Sequence, residues 1–321
     1  MVTPLPVVSI VIPARDASGT IAATIGGALA QDYSGEIEVV VAAPPDDPLR
    51  ALPALADPRV RIVDSPDRRT PTGLNAAIAA ARGTVIVRCD AHSVLPPNYV
   101  RIAVEVLWGS AVDVVGGIQR PAGDRFFQRA VGIAQSTPIG VGDARYRRGG
   151  DPGPVDTVYL GVFRRETLDR VGGFAPDLDR NQDYELNHRI RATGGVVWFD
   201  PRLVVDYAPR SKTGRLWRQY FDYGRWKRIV VRRHPRSLRW RQLVAPLLVL
   251  GLVVSGVLAA VGATLPALVI PSLYGAGLAI TGIVESLRRR TVAGLAAPFA
   301  LVVMHLAWGI GFLVGQRTVE R

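Results

Sequence analysis

Short β-branched runs separated by stretches of helical spacing fill the first two hundred residues of the chain. Val7 to Ile12 is apolar and stops at Pro13, and Ile37 to Ala42 runs into the turn-rich Pro44-Pro45-Asp46-Asp47-Pro48. Arg59 to Asp64 and Thr84 to Cys89 make a third and a fourth strand. Thr20 to Ala30 repeats apolar positions at helical spacing, and Gly73 to Ala81 is a helix of small residues. Strands alternating with helices at this spacing predict βαβ units and a mostly parallel sheet, covered on both faces. Further on, Asn98 to Trp108 is predicted helical, Val112 to Val115 extended, Val155 to Phe163 extended and Arg165 to Val171 helical. Gln119 to Pro154 shows no period and is predicted as a long irregular functional loop. Asp183 to Ala192 is predicted as a helix stopped by Gly194-Gly195, and two short strands follow, Val196 to Phe199 and Leu203 to Tyr207.

The pattern then changes. No charged residue lies between Arg241 and Glu285, nor between Arg290 and Arg317. Leu243 to Leu265, Pro266 to Val284 and Val292 to Val314 each have about the length that crosses a bilayer. The second is the shortest and carries Pro266 and Pro271. Ahead of them, Leu216 to Arg233 mixes Trp and Tyr with Arg and Lys, a composition suited to a lipid headgroup region or to an ordinary packed helix. The expected organisation is a catalytic domain over residues 1–210, a basic and aromatic helical segment over 211–241, and an anchor of about three transmembrane helices over 242–321.

Charge adds orientation to this picture. The formal net charge is +12 over 321 residues, and much of the excess falls between Arg210 and Arg241, directly before the first apolar span. By the positive-inside rule the globular part and the Arg288-Arg289-Arg290 loop face the cytoplasm and the C-terminus faces out. The expectation is a multi-pass plasma-membrane protein. No DNA- or RNA-binding signature accompanies the charge, so nucleic acid is not an expected partner. The single cysteine, Cys89, rules out an intrachain disulfide. Met1-Val2-Thr3-Pro4 lacks a basic leader and reads as the approach to a first strand.

Ligands of open α/β sheets bind at the carboxyl ends of the strands. That singles out Asp90-Ala91-His92, directly after the fourth strand, where an oxygen and an imidazole ligand could meet one Mg²⁺ or Mn²⁺ ion. Asp183 and Glu185 open a helix, as capping residues or as a general base. Pro13-Ala14-Arg15-Asp16 follows the first strand as a simple turn or a nucleoside-binding loop. No Gly-rich dinucleotide or Walker A loop is present.

In order along the chain, Val8 to Arg15, Gly73-Leu74-Asn75, Arg82-Gly83, Val87 to His92, Val171 to Phe174 and Asn181 to Leu186 resemble the family-2 inverting glycosyltransferases. Asp-Ala-His, Thr70 to Asn75 and Gln219 to Trp226 are most similar to the succinoglycan-type, ExoA-like branch. The resemblance covers roughly residues 7–240. It implies a GT-A fold, a UDP-sugar donor, a divalent metal (Mn²⁺ or Mg²⁺) and inversion at the anomeric carbon. It also implies a lipid-linked or membrane-associated acceptor in glycan or exopolysaccharide synthesis. Carried over by position, Pro13, Ala14 and Arg15 line the nucleoside pocket, and Asn75 and Arg82 lie near the donor. Asp90 binds ribose or metal, His92 stands at a metal-ligand position, and Asp183 is the general base. Gln219, Arg225 and Trp226 match the element that closes over diphosphate and acceptor. Three departures stand out. The acidic nucleobase contact after the second strand is displaced to Asp46, Gln182 stands where Glu commonly precedes the base, and Gln219 is widely spaced from Arg225-Trp226. A processive synthase and a non-enzymatic scaffold with a degenerate site are the competing readings.

Overall fold

The structure is a computed structural model that describes residues 4–315. Met1 to Thr3, and the tail beyond Gly315 whose sidedness is predicted above, lie outside the described residues. Two compact units are present, Met1–Arg120 with Gly149–Asp206, and Pro121–Arg148 with Tyr207–Arg321. The segment 121–148 thus groups with the C-terminal part of the chain.

The strands are β1 (Val8–Pro13), β2 (Ile37–Ala43), β3 (Val60–Asp64), β4 (Val85–Arg88), β5 (Val114–Pro121), β6 (Gly153–Pro154), β7 (Tyr159–Arg164) and β8 (Val197–Tyr207). The helices begin with α1 (Ile21–Leu29), α2 (Thr70–Ala80), α3 (Tyr99–Gly109), α4 (Phe126–Ala134), α5 (Pro138–Val141) and α6 (Arg145–Arg148). They continue with α7 (Arg165–Val171), α8 (Gln182–Ala192), α9 (Thr213–Arg233), α10 (Val244–Ala260), α11 (Thr264–Arg289) and α12 (Ala293–Val314).

In the first unit the sheet order is β3-β2-β1-β4-β7-β5-β8-β6. β1 runs parallel to β2 and β4, and β2 to β3. β7 then enters antiparallel to both β4 and β5, and β6 is antiparallel to β8. The sheet is therefore mixed, with its parallel part confined to the half that carries the candidate site. Alternation along each strand feeds two cores. Val8, Ile10, Ile12, Val85, Val87 and Cys89 pack on one face with Ile21, Ile25 and Leu107 of α1 and α3. Val11, Val40 and Ile86 pack on the other with Leu74, Leu168, Leu186 and Ile190 of α2, α7 and α8.

Two expectations are corrected. The last two short strands are one continuous strand, β8, running through Pro201. β6 pairs only with Trp198 and Phe199, so at Pro201 the outer side of β8 is past its neighbour and a missing N–H costs no ladder bond there. The segment predicted irregular over 119–154 contains α4, α5 and α6. α4 is amphipathic but built partly of weak helix formers, and Val131, Ile133 and Ala134 are buried against Ala297, Leu301 and Met304 of α12. Tertiary contact supplies what propensity does not.

In the second unit, three helices are long and apolar enough to cross a membrane, Trp240–Ala260, Thr264–Arg289 and Ala293–Val314. The middle one extends beyond the predicted segment at both ends and carries Pro271 inside it. α10 and α11 expose large apolar side chains such as Leu247, Val253, Leu265 and Leu273. α9 packs along α12 with two backbones almost touching. A Cβ placed on Gly224 would lie 2.2 Å from the Trp308 carbonyl oxygen, and one on Gly311 would lie 2.2 Å from that of Phe221. Leu216, Tyr220, Gly224 and Val230 are buried along α9, so it is a packed helix over much of its length. Gly311→Val is expected to destabilise the protein by about 1–3 kcal/mol or more, because backbone cannot yield as a side chain does. Gly256, with nothing within 4 Å of its Cβ position, is the control. Melting in detergent of Gly311→Val beside Gly256→Val checks this.

Candidate active site

β1 and β4 end side by side, and the chain leaves each of them into a common cleft of about 330 Å³. Pro13, Ala14 and Arg15 line it from the end of β1, and Asp90, Ala91 and His92 from the end of β4. Arg68, Arg69, Arg180 and Gln182 complete much of the wall. The Ala14 N–H donates to the Ala42 carbonyl at 2.8 Å, which extends β1 pairing to the rim and fixes where the loop turns away.

At the cleft floor stands a residue that sequence reasoning did not select. Arg88 is the last residue of β4, and its side chain is 6% exposed. Nη2 donates to Asp90 Oδ1 at 2.9 Å, and Nη1 donates to Asp183 Oδ1. The Phe174 ring lies 5.8 Å from its guanidinium carbon. Strand alternation explains the meeting. Arg88 follows Ile86 on the face covered by α2 and α8, and Asp183 sits in the first turn of α8. Asp183 is 35% exposed, open enough for an incoming hydroxyl to reach. Burial pushes the Asp90 carboxyl up, but the positive charges of Arg88, His92 and Arg180 outweigh it and hold the group below the usual carboxylate range.

Gln182, at the first position of α8, is buried on the cleft wall. Glu185 is bound by Arg189 through two contacts of 2.8 Å, which in turn bonds the Val171 and Gly173 carbonyls. Glu185 therefore anchors the Gly172-Gly173 turn.

The remaining expected residues fall elsewhere. Asn75 does not line the cleft. It clamps the Phe174 backbone, donating from Nδ2 to its carbonyl at 2.8 Å and accepting its N–H at 2.9 Å. Gly173 is required beside it, since its φ is +71° and a Cβ would meet Asn75 Oδ1 at 2.8 Å. Asn75 thus reaches the site through Phe174, whose ring faces Arg88. Asn75→Ala is expected to cost about 1–3 kcal/mol through the two lost hydrogen bonds, read as a lower melting temperature with the nucleotide affinity little changed. Arg82 is at the opposite end of the sheet, before β4, where its backbone and side chain bond the buried Glu38. β4 holds it a strand length from the cleft. Asp46 is an exposed partner of Arg68 and not itself on the wall. Its neighbour Asp47 is the buried one, accepting the N–H groups of Asp16 at 2.9 Å and Leu49 at 3.0 Å. Gln219, Arg225 and Trp226 lie on α9 in the second unit. Gln219 Nε2 donates to the hydroxyls of Tyr207 and Tyr223, both at 3.0 Å, and Arg225 stacks on Phe221 at 5.7 Å.

Asp90 and His92 are the ligand-type pair for a divalent ion. Among the described residues no group of three or more His, Cys, Asp or Glu side chains is arranged to hold one. Both Arg88 contacts to Asp90 fall on Oδ1, which leaves the carboxylate a second oxygen for a metal. Such a pair fits an ion that shares its coordination with substrate phosphates, as small hard cations commonly do, and not a closed protein cage.

A mixed sheet with a polar cleft at the carboxyl ends of its parallel strands has the architecture of a GT-A fold. Residues 9–172 match the pattern of the family described as Glycosyl transferase family 2. Over 261 residues the chain is 31% identical to the succinoglycan biosynthesis protein ExoA of Rhizobium meliloti (strain 1021), covering 81% of this chain and 78% of that protein. The chain belongs to glycosyltransferase family 2 and is a glycosyltransferase. Among solved structures, the mannosyltransferase PcManGT from Pyrobaculum calidifontis, in complex with GDP-Man and Mn²⁺, superposes with a TM-score of 0.65 at 23% identity, over 95% of this chain and 88% of that one. TarS 1-349 of S. aureus, in complex with UDP-GlcNAc, gives 0.53 at 13% identity, over 70% and 65%. At these identities the likeness is one of fold.

Proposed function

We propose that this chain is an inverting transferase that moves one sugar from a nucleoside-diphosphate donor, a UDP-sugar, to a lipid-linked acceptor at the cytoplasmic face of a membrane, in exopolysaccharide assembly. The observation that carries this reading is the Asp90–Arg88–Asp183 cluster at the end of β4. It puts a carboxylate suited to the donor side and one suited to proton transfer on the two arms of one guanidinium. The names of the relative and of the two structural neighbours, an exopolysaccharide biosynthesis protein and proteins bound to nucleotide sugars, agree with it.

Asp183 takes the proton of the acceptor hydroxyl onto a carboxylate oxygen. That hydroxyl oxygen forms the new bond to the anomeric carbon as the bond to the diphosphate oxygen breaks on the opposite side, which inverts the configuration. Asp90 and His92 would hold a divalent ion, which when bound would supply positive charge to the leaving diphosphate. Arg88 holds Asp90 ionised on one arm and pairs with Asp183 on the other. The three apolar helices, with arginines before the first and between the second and third, support a cytoplasmic orientation and a lipid-borne acceptor.

The test is transfer of radiolabel from UDP- and GDP-sugars into the lipid fraction by the full chain in membranes, with the linkage analysed by NMR. One inverted sugar per acceptor is the expected product. Retained configuration would remove Asp183 from its role, and a long polymer would mark a processive synthase.

A further inference from the structure

Five arginines wall the cleft, Arg15, Arg68, Arg69, Arg88 and Arg180, and four of them already have partners. Arg15 bonds the Arg68 carbonyl at 2.9 Å and lies 3.6 Å from the Asp16 carboxylate. Arg68 pairs with Asp46, Arg69 with Asp179 at 2.8 Å, and Arg88 with Asp90 and Asp183. Arg180 differs. Its side chain is exposed, it lines the cleft together with Asp90 and His92, and among the described residues it has neither an ion-pair nor a hydrogen-bond partner.

Its position is set by a strained backbone. The next residue, Asn181, has φ 60° and ψ 15° as the N-cap of α8, the left-handed conformation that Asn adopts more readily than other non-glycine residues. That turn separates Arg180 from the helix, so it is not one more charge on a solvated helical face. The metal-ligand pair supplies a second consideration. Two protein ligands bring an ion only in company with phosphates, and an ion that also serves the Asp90 carboxylate does not by itself neutralise a diphosphate. A further cation is needed where the leaving group gathers charge.

We propose that Arg180 is the diphosphate anchor of this site, engaging the donor's phosphate oxygens with its planar guanidinium fork and holding the nucleoside diphosphate after the sugar has left. The inference rests on the nucleotide-sugar reading given above. A guanidinium suits the task because it presents paired donors to phosphate oxygens and stays charged at every working pH. Nucleotide binding should therefore keep a component that does not depend on metal.

The experiment is calorimetric titration of UDP and GDP into the detergent-solubilised full chain, with Mn²⁺ and again in EDTA, for the native protein, Arg180→Met and Arg180→Lys. Arg180→Met should weaken nucleoside diphosphate binding by about 10- to 100-fold, the weight of a charge-assisted phosphate contact. In EDTA the native protein should retain measurable binding and Arg180→Met should lose it. Arg180→Lys should recover part of the affinity as a point charge. The side chain is exposed and unpaired, so melting temperatures should match, which separates lost binding from lost fold. Unchanged nucleoside diphosphate affinity in Arg180→Met under both conditions would overturn the anchor and leave the transferase reading intact. Native protein that binds neither nucleotide, with or without Mn²⁺, would overturn both.

Discussion

Asp183→Asn is expected to lower kcat by about 10²- to 10⁴-fold, the usual contribution of a general base, with donor KM changed only a few-fold. The substitution keeps the shape of the side chain and removes its ability to take a proton. Asp183 is the more open of the two carboxylates on Arg88, at 35% exposure against 20% for Asp90, so an acceptor can approach it while Asp90 faces the donor side. Arg88 keeps Asp90 as a partner in the variant, and the fold should survive. Steady-state rates with a saturating donor, beside nucleotide binding by calorimetry, separate proton transfer from ligand binding. A kcat within a few-fold of native would remove Asp183 from the chemistry and leave it as a first-turn helix residue.

Arg88→Met is expected to damage both stability and activity. Removing one member of a fully buried charge cluster costs about 3–5 kcal/mol, because the partner charges stay behind. Asp183 is about one-third open to water, so the lower end of that range applies here. The activity loss should be about 100-fold or more, since both carboxylates lose the group that fixes their geometry. Arg88→Lys should recover some stability and little activity, because an ammonium is a point charge and cannot hold two carboxylates on separate arms. The double variant Arg88→Met/Asp183→Asn carries one orphaned carboxylate fewer, so it should melt higher than Arg88→Met alone, a non-additivity that marks direct coupling. Additive melting shifts across the four proteins would mean that Arg88 and Asp183 act independently.

Much of the sheet was legible because its parallel strands are buried on both faces and read as unbroken β-branched runs. Val8 to Ile12, Ile37 to Ala42 and Val85 to Val87 have few other ways to hide so much apolar surface. The loops after β1 and β4 followed from the rule that ligands bind at carboxyl ends, and the structure puts Pro13, Ala14, Arg15, Asp90 and His92 on one cleft. Arg88 was not legible as a site residue because a charge at the end of an apolar run looks like a strand terminus. The available signal was its spacing of two from Asp90, which in a strand means the same face. Asn75 and Arg82 were placed near the donor by resemblance to a motif, and motif position does not record that Asn75 turns to the Phe174 backbone or that Arg82 serves the other end of the sheet. α4 was hidden for a different reason. Its apolar positions do fall on one helix face, but Gly132 and the two phenylalanines are weak helix formers, and α12, which buries that face, lies far along the chain.

The lone cysteine has a practical consequence. Cys89 is buried at the end of the β4 segment, its Sγ lying 3.7 Å from the Asp90 carbonyl oxygen and 3.6 Å from that of Ser93. Burial pushes the thiol up, so in the folded protein it offers maleimide reagents neither access nor thiolate. The native chain is therefore a silent background for labelling. A cysteine introduced at Val261, between α10 and α11, or at Thr291, between α11 and α12, would be the sole reactive thiol. Its response to a membrane-impermeant reagent in intact cells would report the sidedness of each loop directly.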